Sequence, residues 1–385
     1  MNNQKNNNHT VVIGGGVIGL ATGWQLLRRG IAVTIIERET AETSAGWVAA
    51  GMLAPHAEAG FEDPDTLQLG LKSLEMYPEF LQQLRDDSGH DVHLDTRGAM
   101  MIGFDRDDEG RLRRLYDFRR ELDLRVEWLT ASEALDREPL LSPKVTCAIW
   151  LPEDSQVNNR SMIRALAEAV RARGGTILEN TPATSIVVNG GRVSSIVAGD
   201  RRIDATNVVL SAGCWSNQID GLPDSDRPPV RPVKGQIVSL RMDEHFVPAH
   251  VIRAPDVYLL PKDDGRLLVG ATQEEMGFDT TPTAGPVMRL LERAWEAMPS
   301  IYDLPIESID VGLRPGSRDH DPIIGRGAIE NLYHASGHHR SGILLAPVTA
   351  IGIADMASGR TAPDVFAPFG PSRFTSPPTV AGHAG

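Results

Sequence analysis

Thr10-Val11-Val12-Ile13-Gly14-Gly15-Gly16-Val17-Ile18-Gly19 is the stretch on which the fold turns. Its first four residues are all β-branched, which suits an extended strand. Gly14, Gly16 and Gly19 then satisfy G-x-G-x-x-G. Gly14 permits the tight turn, Gly16 lets backbone approach a pyrophosphate, and Gly19 lets the following helix pack on the sheet. That helix is expected from about Val17 to Arg29, with Gly30 as its stop. A second strand, Ala32–Glu37, completes a βαβ unit. The helix start offers free N–H groups and a partial positive charge to a phosphate. Glu37 comes 18 residues after Gly19, where an acid accepts hydrogen bonds from ribose hydroxyls. A tight turn followed by an exposed Glu is the plain alternative. Strand, helix, spacing and acid together favour a dinucleotide.

Outward from this unit, residues 38–60 are Gly/Ala-rich and irregular. Helical patterns follow at about 64–86, 107–123 and 131–138, with a strand at 98–104 between the first two. Asn158 or Asn159 suits the cap of a helix running to Arg173. Two strands flank Asn189-Gly190-Gly191 as a hairpin. Asn207–Leu210 is apolar enough to be buried on both faces, as in a parallel sheet. From 229 to 315 alternating strands dominate, at 235–241, 257–261, 267–271 and 308–312, interrupted by a helix at about 284–298. A last apolar strand, 332–335, leads through a Gly-rich turn into a helix expected over Gly342–Ser358.

Dinucleotide-type segments thus lie at the start, middle and end of the chain, with antiparallel segments between. The fold class expected is α/β (α+β): a Rossmann-like domain interleaved with a mostly antiparallel β-sheet domain. Residues 10–90, 150–228 and 320–365 are assigned to the first, and 91–149 and 229–319 to the second. Residues 1–9 are Asn-rich and 366–385 are rich in Gly, Pro, Ser and Thr, so both ends are expected to be disordered.

Composition excludes several classes. The formal net charge of -13 disfavours nucleic acid or an anionic membrane as partner. No window approaches about 18 consecutive apolar residues, so no transmembrane helix is expected. Cys147 and Cys214 form no C-x-x-C pair and no metal-ligand spacing is present, so neither a disulfide framework nor a metal is expected, and a reduced cytoplasm is the simpler setting.

NAD and FAD share the opening fingerprint, and the segments beyond the second strand separate them. An NAD dehydrogenase continues with further regular βα units. Here the second strand runs into Ser44-Ala45-Gly46-Trp47-Val48-Ala49-Ala50-Gly51-Met52-Leu53, whose small residues let backbone pass close to a flat ring. Val208-Val209-Leu210-Ser211-Ala212-Gly213 and the Gly337–Pro347 turn agree with FAD. A helix starting near Gly342 would aim its positive end at the N1/C2 side of a reduced flavin.

With these residues together, the sequence resembles the D-amino-acid oxidase family of FAD-dependent amine oxidases, over about residues 10–360, and within it the glycine oxidase-like members. The pieces that carry the resemblance are Ala49-Ala50-Gly51-Met52-Leu53, Tyr258-Leu259-Leu260-Pro261, Gly270-Ala271-Thr272, Gly312-Leu313-Arg314-Pro315-Gly316 and Gly337-His338-His339-Arg340-Ser341-Gly342-Ile343-Leu344-Leu345-Ala346-Pro347.

The resemblance implies an FAD-binding domain of the glutathione-reductase type and non-covalent FAD, since neither cysteine lies in the C-terminal part. It assigns the cofactor to Gly14, Gly16, Val17, Ile18, Gly19, Glu37, Arg38, Ala45, Gly46, Ala50, Gly51, Met52, Ala183, Gly213, His338, His339, Arg340, Ser341, Gly342, Ile343 and Leu344. It pairs the substrate carboxylate with Arg314 and Tyr258, and puts Arg340 near substrate and flavin. Glycine oxidase-like members carry a Met shortly after the G-A-T strand; Gln273 stands here, which leaves pocket width and strict glycine preference open. Arg314 also stands on its own chemistry, because a guanidinium forks onto a carboxylate with two charge-assisted bonds. A surface ion pair with Asp319 or Asp321 is its plain alternative.

The activity implied is oxidation of glycine, sarcosine or a small D-amino acid such as D-alanine. It proceeds by hydride transfer to flavin N5 with O2 as acceptor, giving peroxide, glyoxylate and ammonia. It needs no acid/base residue, so no catalytic base is nominated among His338 and His339. The resemblance further implies the thiazole branch of thiamine biosynthesis and a homo-oligomer, a tetramer. Three rivals stay open: a D-amino-acid or imino-acid dehydrogenase of the same fold using a quinone, an NAD-binding dehydrogenase, and a flavin-binding subunit without turnover.

Overall fold

The structure, a computed structural model, describes residues 8–58 and 64–374. Two sheets organise it. The first has six strands in the order Ile323–Arg326, Leu332–Ser336, Asn207–Leu210, His9–Ile13, Ala32–Ile36, Thr176–Leu178. All neighbours run parallel except Ile323–Arg326, which is antiparallel to Leu332–Ser336. Its strands are apolar because both faces are covered. Val12, Ile35 and Val209 pack with Trp24, Phe80, Leu166 and Ile353 from four helices, Val17–Arg28, Pro64–Ser88, Asn159–Ala172 and Ala346–Ala357. Val11, Ile13, Val208 and Leu210 meet Ile186 and Ile196 of a three-stranded antiparallel layer, Ala183–Asn189, Arg192–Ala198 and Arg201–Asp204.

The second sheet has eight strands: Ile306–Gly316, Arg231–Arg241, Arg266–Gly270, Val257–Pro261, Val251–Ala254, Ala99–Gly103, Cys147–Leu151, Glu127–Thr130. Neighbours are antiparallel save Val251–Ala254 beside Ala99–Gly103. Leu290 and Ala294 of helix Ala284–Ala297 close one face against Val238, Val257 and Leu259. Met101, Leu260 and Leu268 on the other face pack against Ala50 and Ala54 of the small-residue loop, which ties the two sheets together. The interleaved α/β fold expected from the motifs is the fold found.

Some expectations change. The regular C-terminal helix begins at Ala346, not Gly342. Pro347 explains the start: proline lacks the N–H that a first turn leaves unpaired. Residues 366–374, expected as disordered tail, form two 3-10 turns, Asp364–Phe369 and Pro371–Phe374. Phe366 and Phe369 are buried, and Arg373 pairs with Asp319 at 2.7 Å. Their apolar anchors outweigh a Gly/Pro-rich setting. His9, placed in the disordered N-terminus, begins the first strand. Residues 1–7 and 375–385 lie outside the described residues. Strands Glu127–Thr130 and Cys147–Leu151 are not among the expected elements.

Asn158, rather than Asn159, caps its helix: its side chain accepts from Ser161 N at 3.1 Å. Asn158→Ala is expected to lower unfolding stability by about 1 kcal/mol. The shift of the urea midpoint measures it, and an unmoved midpoint counts against the cap.

Candidate functional site

A cavity of about 730 Å³ runs from the C-terminal ends of the parallel strands to the face of the eight-stranded sheet. At its first end the chain turns sharply after Ile13. Gly14 takes φ 107, a region that side chains disfavour, and a Cβ there would overlap the Ser211 carbonyl. Gly16 is the N-cap of helix Val17–Arg28 and has no side-chain cap, so the first-turn N–H groups stay available to an anion. Gly14, Gly16, Val17, Ile18, Glu37, Arg38, Ala183 and Gly213 all line this end. Glu37 braces the turn, accepting from Gly15 N at 2.5 Å and from Glu39 N at 3.1 Å. The Arg38 guanidinium lies 3.8 Å from the centre of the Trp215 ring.

Gly19 stands apart from the other residues of the motif. It is not on the cavity wall; a Cβ there would overlap the Gly14 carbonyl, so Gly19 serves helix packing. Cys214, beside Gly213, does line the cavity, and burial pushes its thiol up to about 12, so the thiolate is scarce.

The middle of the cavity is walled by Ala45, Gly46, Ala50, Gly51 and Met52 on one side. His338, His339, Arg340, Ser341, Gly342, Ile343 and Leu344 face them. Tyr77 holds the second wall by donating to the Ile343 carbonyl, and Ser73 donates to that of Leu344 at 2.6 Å. Because the regular helix starts at Ala346, its first turn stands one step back from the wall.

At the far end Tyr258, Gln273, Arg314 and Arg340 come together on the wall. Tyr258 and Arg314 lie on different strands, and each is seated by a missing side chain opposite. A Cβ on Gly270 would strike the Tyr258 hydroxyl, and one on Gly235 would strike the Arg314 guanidinium. The alternative ion pairs for Arg314 are not formed: Asp319 is taken by Arg373, and Thr66 donates to Asp321 at 2.5 Å. Arg314 instead donates to the Thr272 carbonyl at 2.9 Å. Burial lowers its pKa, Tyr258 and Glu58 oppose that shift, and a guanidinium stays charged at neutral pH regardless. Burial pushes the Tyr258 phenol up to about 12, so it is a proton-bearing donor.

Sequence reasoning missed Glu58 and Arg253. Glu58 accepts from Arg253 at 2.5 Å and meets Arg340 at 3.0 Å. Burial raises its carboxyl pKa, but Arg253 and Arg340 outweigh burial and hold it below the usual range. Arg119 fixes the short Pro55–Glu58 turn from beneath, donating to the His56 carbonyl at 2.6 Å and the Ala57 carbonyl at 2.9 Å.

The two histidines are poor bases. Burial drives His338 down to about 3, and its Nε2 meets Thr349 Oγ1 at 3.1 Å. Burial, then Arg314 and Arg340, drive His339 down to about 4. Both are neutral through the physiological range. His339→Gln is therefore expected to leave the shape of the kcat/KM profile unchanged between about pH 6 and 8. Loss of a limb in that window would overturn the point.

The glycine-lined turn, the unpaired helix start and the long small-residue wall fit a dinucleotide joined to a flat ring. The FAD dependent oxidoreductase description, DAO, matches residues 9–356. The chain belongs to this family. It is an FAD-dependent oxidoreductase. Glycine oxidase of Geobacillus kaustophilus is 33% identical over 368 residues, covering 94% of this chain and 96% of that protein. The solved structure of glycine oxidase from that organism superposes with a TM-score of 0.89 at 32% identity, over 95% of this chain and 99% of the other. The bifunctional protein ThiO/ThiG of Synechocystis is 33% identical over 380 residues, 96% of this chain. The chain spans 55% of that protein's length. Among the described residues no helix is long and apolar enough to cross a membrane, and no His, Cys, Asp and Glu cluster suits a metal.

Proposed function

We propose that this chain oxidises glycine, with sarcosine and D-alanine as further substrates, and passes the electrons to O2. The observation that carries the reading is Arg314: a half-buried guanidinium on the cavity wall, with no carboxylate ion pair among the described residues, beside the Tyr258 phenol. Such a fork is built to take a carboxylate from outside. Tyr258 donates to the same carboxylate, and Arg340, steadied by Glu58, closes that side. When bound along the cavity, FAD would supply the two-electron acceptor for the hydride that leaves the substrate Cα. The chain holds Cα in line by fixing the carboxylate, and its neutral histidines add no further cation beside Arg314 and Arg340. Glycine oxidase and ThiO/ThiG relatives support this substrate, and the second name supports supply of the imine product to thiazole formation in thiamine biosynthesis.

Anaerobic titration with glycine, sarcosine, D-alanine and D-proline tests it, read on the flavin spectrum. Bleaching by glycine is expected; a flavin that no small amino acid reduces would sink the reading. On readmitting air, rapid reoxidation with peroxide release is expected. A reduced flavin stable in air would favour the dehydrogenase instead.

A further inference from the structure

Lys262 directly succeeds the strand that carries Tyr258 and is 5% exposed. Its ammonium donates to the Val157 carbonyl at 2.9 Å, and among the described residues it makes no ion pair. A charge buried on one neutral hydrogen bond is costly, so the group either gives up its proton or serves a compensating anion.

The geometry says where that anion would lie. Gly51 forms part of the cavity wall. A Cβ built on Gly51 would stand 2.9 Å from Lys262 Nζ and 3.3 Å from Asn159 Oδ1. The ammonium therefore stands where a side chain of Gly51 would point, behind the backbone of a wall residue. Asn159 fixes the same wall, donating to the carbonyls of Gly46 at 2.8 Å and Trp47 at 3.0 Å. Its Oδ1 is buried without a partner. Neither group is used by the substrate end of the cavity.

We propose that Lys262 sets the redox poise of the bound FAD: its ammonium, one glycine behind the wall, stabilises the negative charge that the flavin ring gains on reduction. The inference rests on FAD occupying this cavity and not on the choice of substrate. Two electrons and one proton enter the ring, which leaves it one negative charge; only near the amine's own pKa does Nζ take up a further proton from solvent. A second cavity of about 340 Å³, lined by Lys262, His93, Asp95 and Asn158, gives solvent that approach.

Several charges face Lys262. Arg266 is paired with Asp264 at 2.7 Å, Asp263 accepts from Asn158 at 2.7 Å, and Asp95 is paired with Arg97 at 2.6 Å. Burial, then Arg266, push the amine down to about 7, against Asp264, Asp263 and Asp95. The sign is fixed by that value. Below it Lys262 is charged in both redox states and favours the reduced flavin. Well above it Lys262 is neutral in both and contributes nothing.

The test equilibrates the FAD-loaded enzyme with a redox dye, without amino acid, in wild type and Lys262→Met. At about pH 6 the variant's reduction equilibrium is expected to fall about tenfold, and the gap to close by about pH 9. No gap at the lower pH overturns the proposal. A gap of equal size at both also overturns it, because a purely structural role would not titrate. Lys262→Gln repeats the measurement if the Met variant does not fold. If neither variant holds FAD, the wild-type equilibrium decides: it must fall more steeply between about pH 7 and 8 than on either side, and a uniform slope overturns the proposal. Because the dye replaces the substrate, failure of glycine to reduce the flavin leaves this test intact.

Discussion

Arg314→Ala is expected to lower kcat/KM for glycine about 30-fold to several thousand-fold, mostly through KM. Removing one partner of a desolvated charge pair costs about 2–5 kcal/mol, and each 1.4 kcal/mol is a factor of ten. The upper half of that range is expected here for two reasons. The side chain is fixed before any ligand arrives, by the Thr272 carbonyl at 2.9 Å and by the space Gly235 leaves for it. The nearby Glu58 carboxylate is already engaged by Arg253 and Arg340, so it offers Arg314 little compensation. Arg314→Lys should recover only part of the loss, since an ammonium cannot fork. Steady-state kinetics with glycine check both variants. An unchanged KM would remove Arg314 from the substrate.

Gly14→Ala is expected to yield protein largely without flavin and with a lowered Tm. A side chain at φ 107 is strained by about 1–3 kcal/mol. Overpacking against Ser211 and the Ala212 Cα, 2.9 Å away, adds about 1–3 kcal/mol. Against a typical stability of about 5–15 kcal/mol that is a large share. Loss of FAD then removes the stabilisation a bound ligand provides. Gly16→Ala is the control. A Cβ there meets only Ser44 Cβ at 3.7 Å, so the apo fold should be kept while FAD affinity falls. Visible flavin absorption per protein and thermal melting separate the two. Full flavin content and an unchanged Tm in Gly14→Ala would refute the assignment.

Much of this was legible in the residues, because the deciding chemistry is local. A glycine turn between strand and helix, an acid at the end of the next strand and small residues beyond it each state a backbone requirement. The role of Tyr258 could be read only through resemblance to a family, and that Tyr258 and Arg314 meet could not be read from spacing, since their meeting point depends on pairings across the second sheet. Glu58 and Arg253 were illegible for the same reason. Arg253 sits in a short strand with nothing unusual about it, and reaches the cavity because that strand pairs with Ala99–Gly103, far away in sequence. The late start of the last helix was legible in principle, from Pro347. Gly19 fits the helix-packing part of its reading: a Cβ there would overlap the Gly14 carbonyl.

The six-stranded sheet places His9–Ile13 between Ala32–Ile36 and Asn207–Leu210, with Leu332–Ser336 next outward. For the ribosome this order means delay. At about 5–20 residues per second, the strand at 332 emerges about 16–65 s after the first one. Until then the strand Asn207–Leu210 lacks its outer neighbour, and an unpaired apolar edge is prone to aggregate. Slow expression at low temperature should therefore raise the soluble yield, and chains cut short of residue 332 are expected in the insoluble fraction.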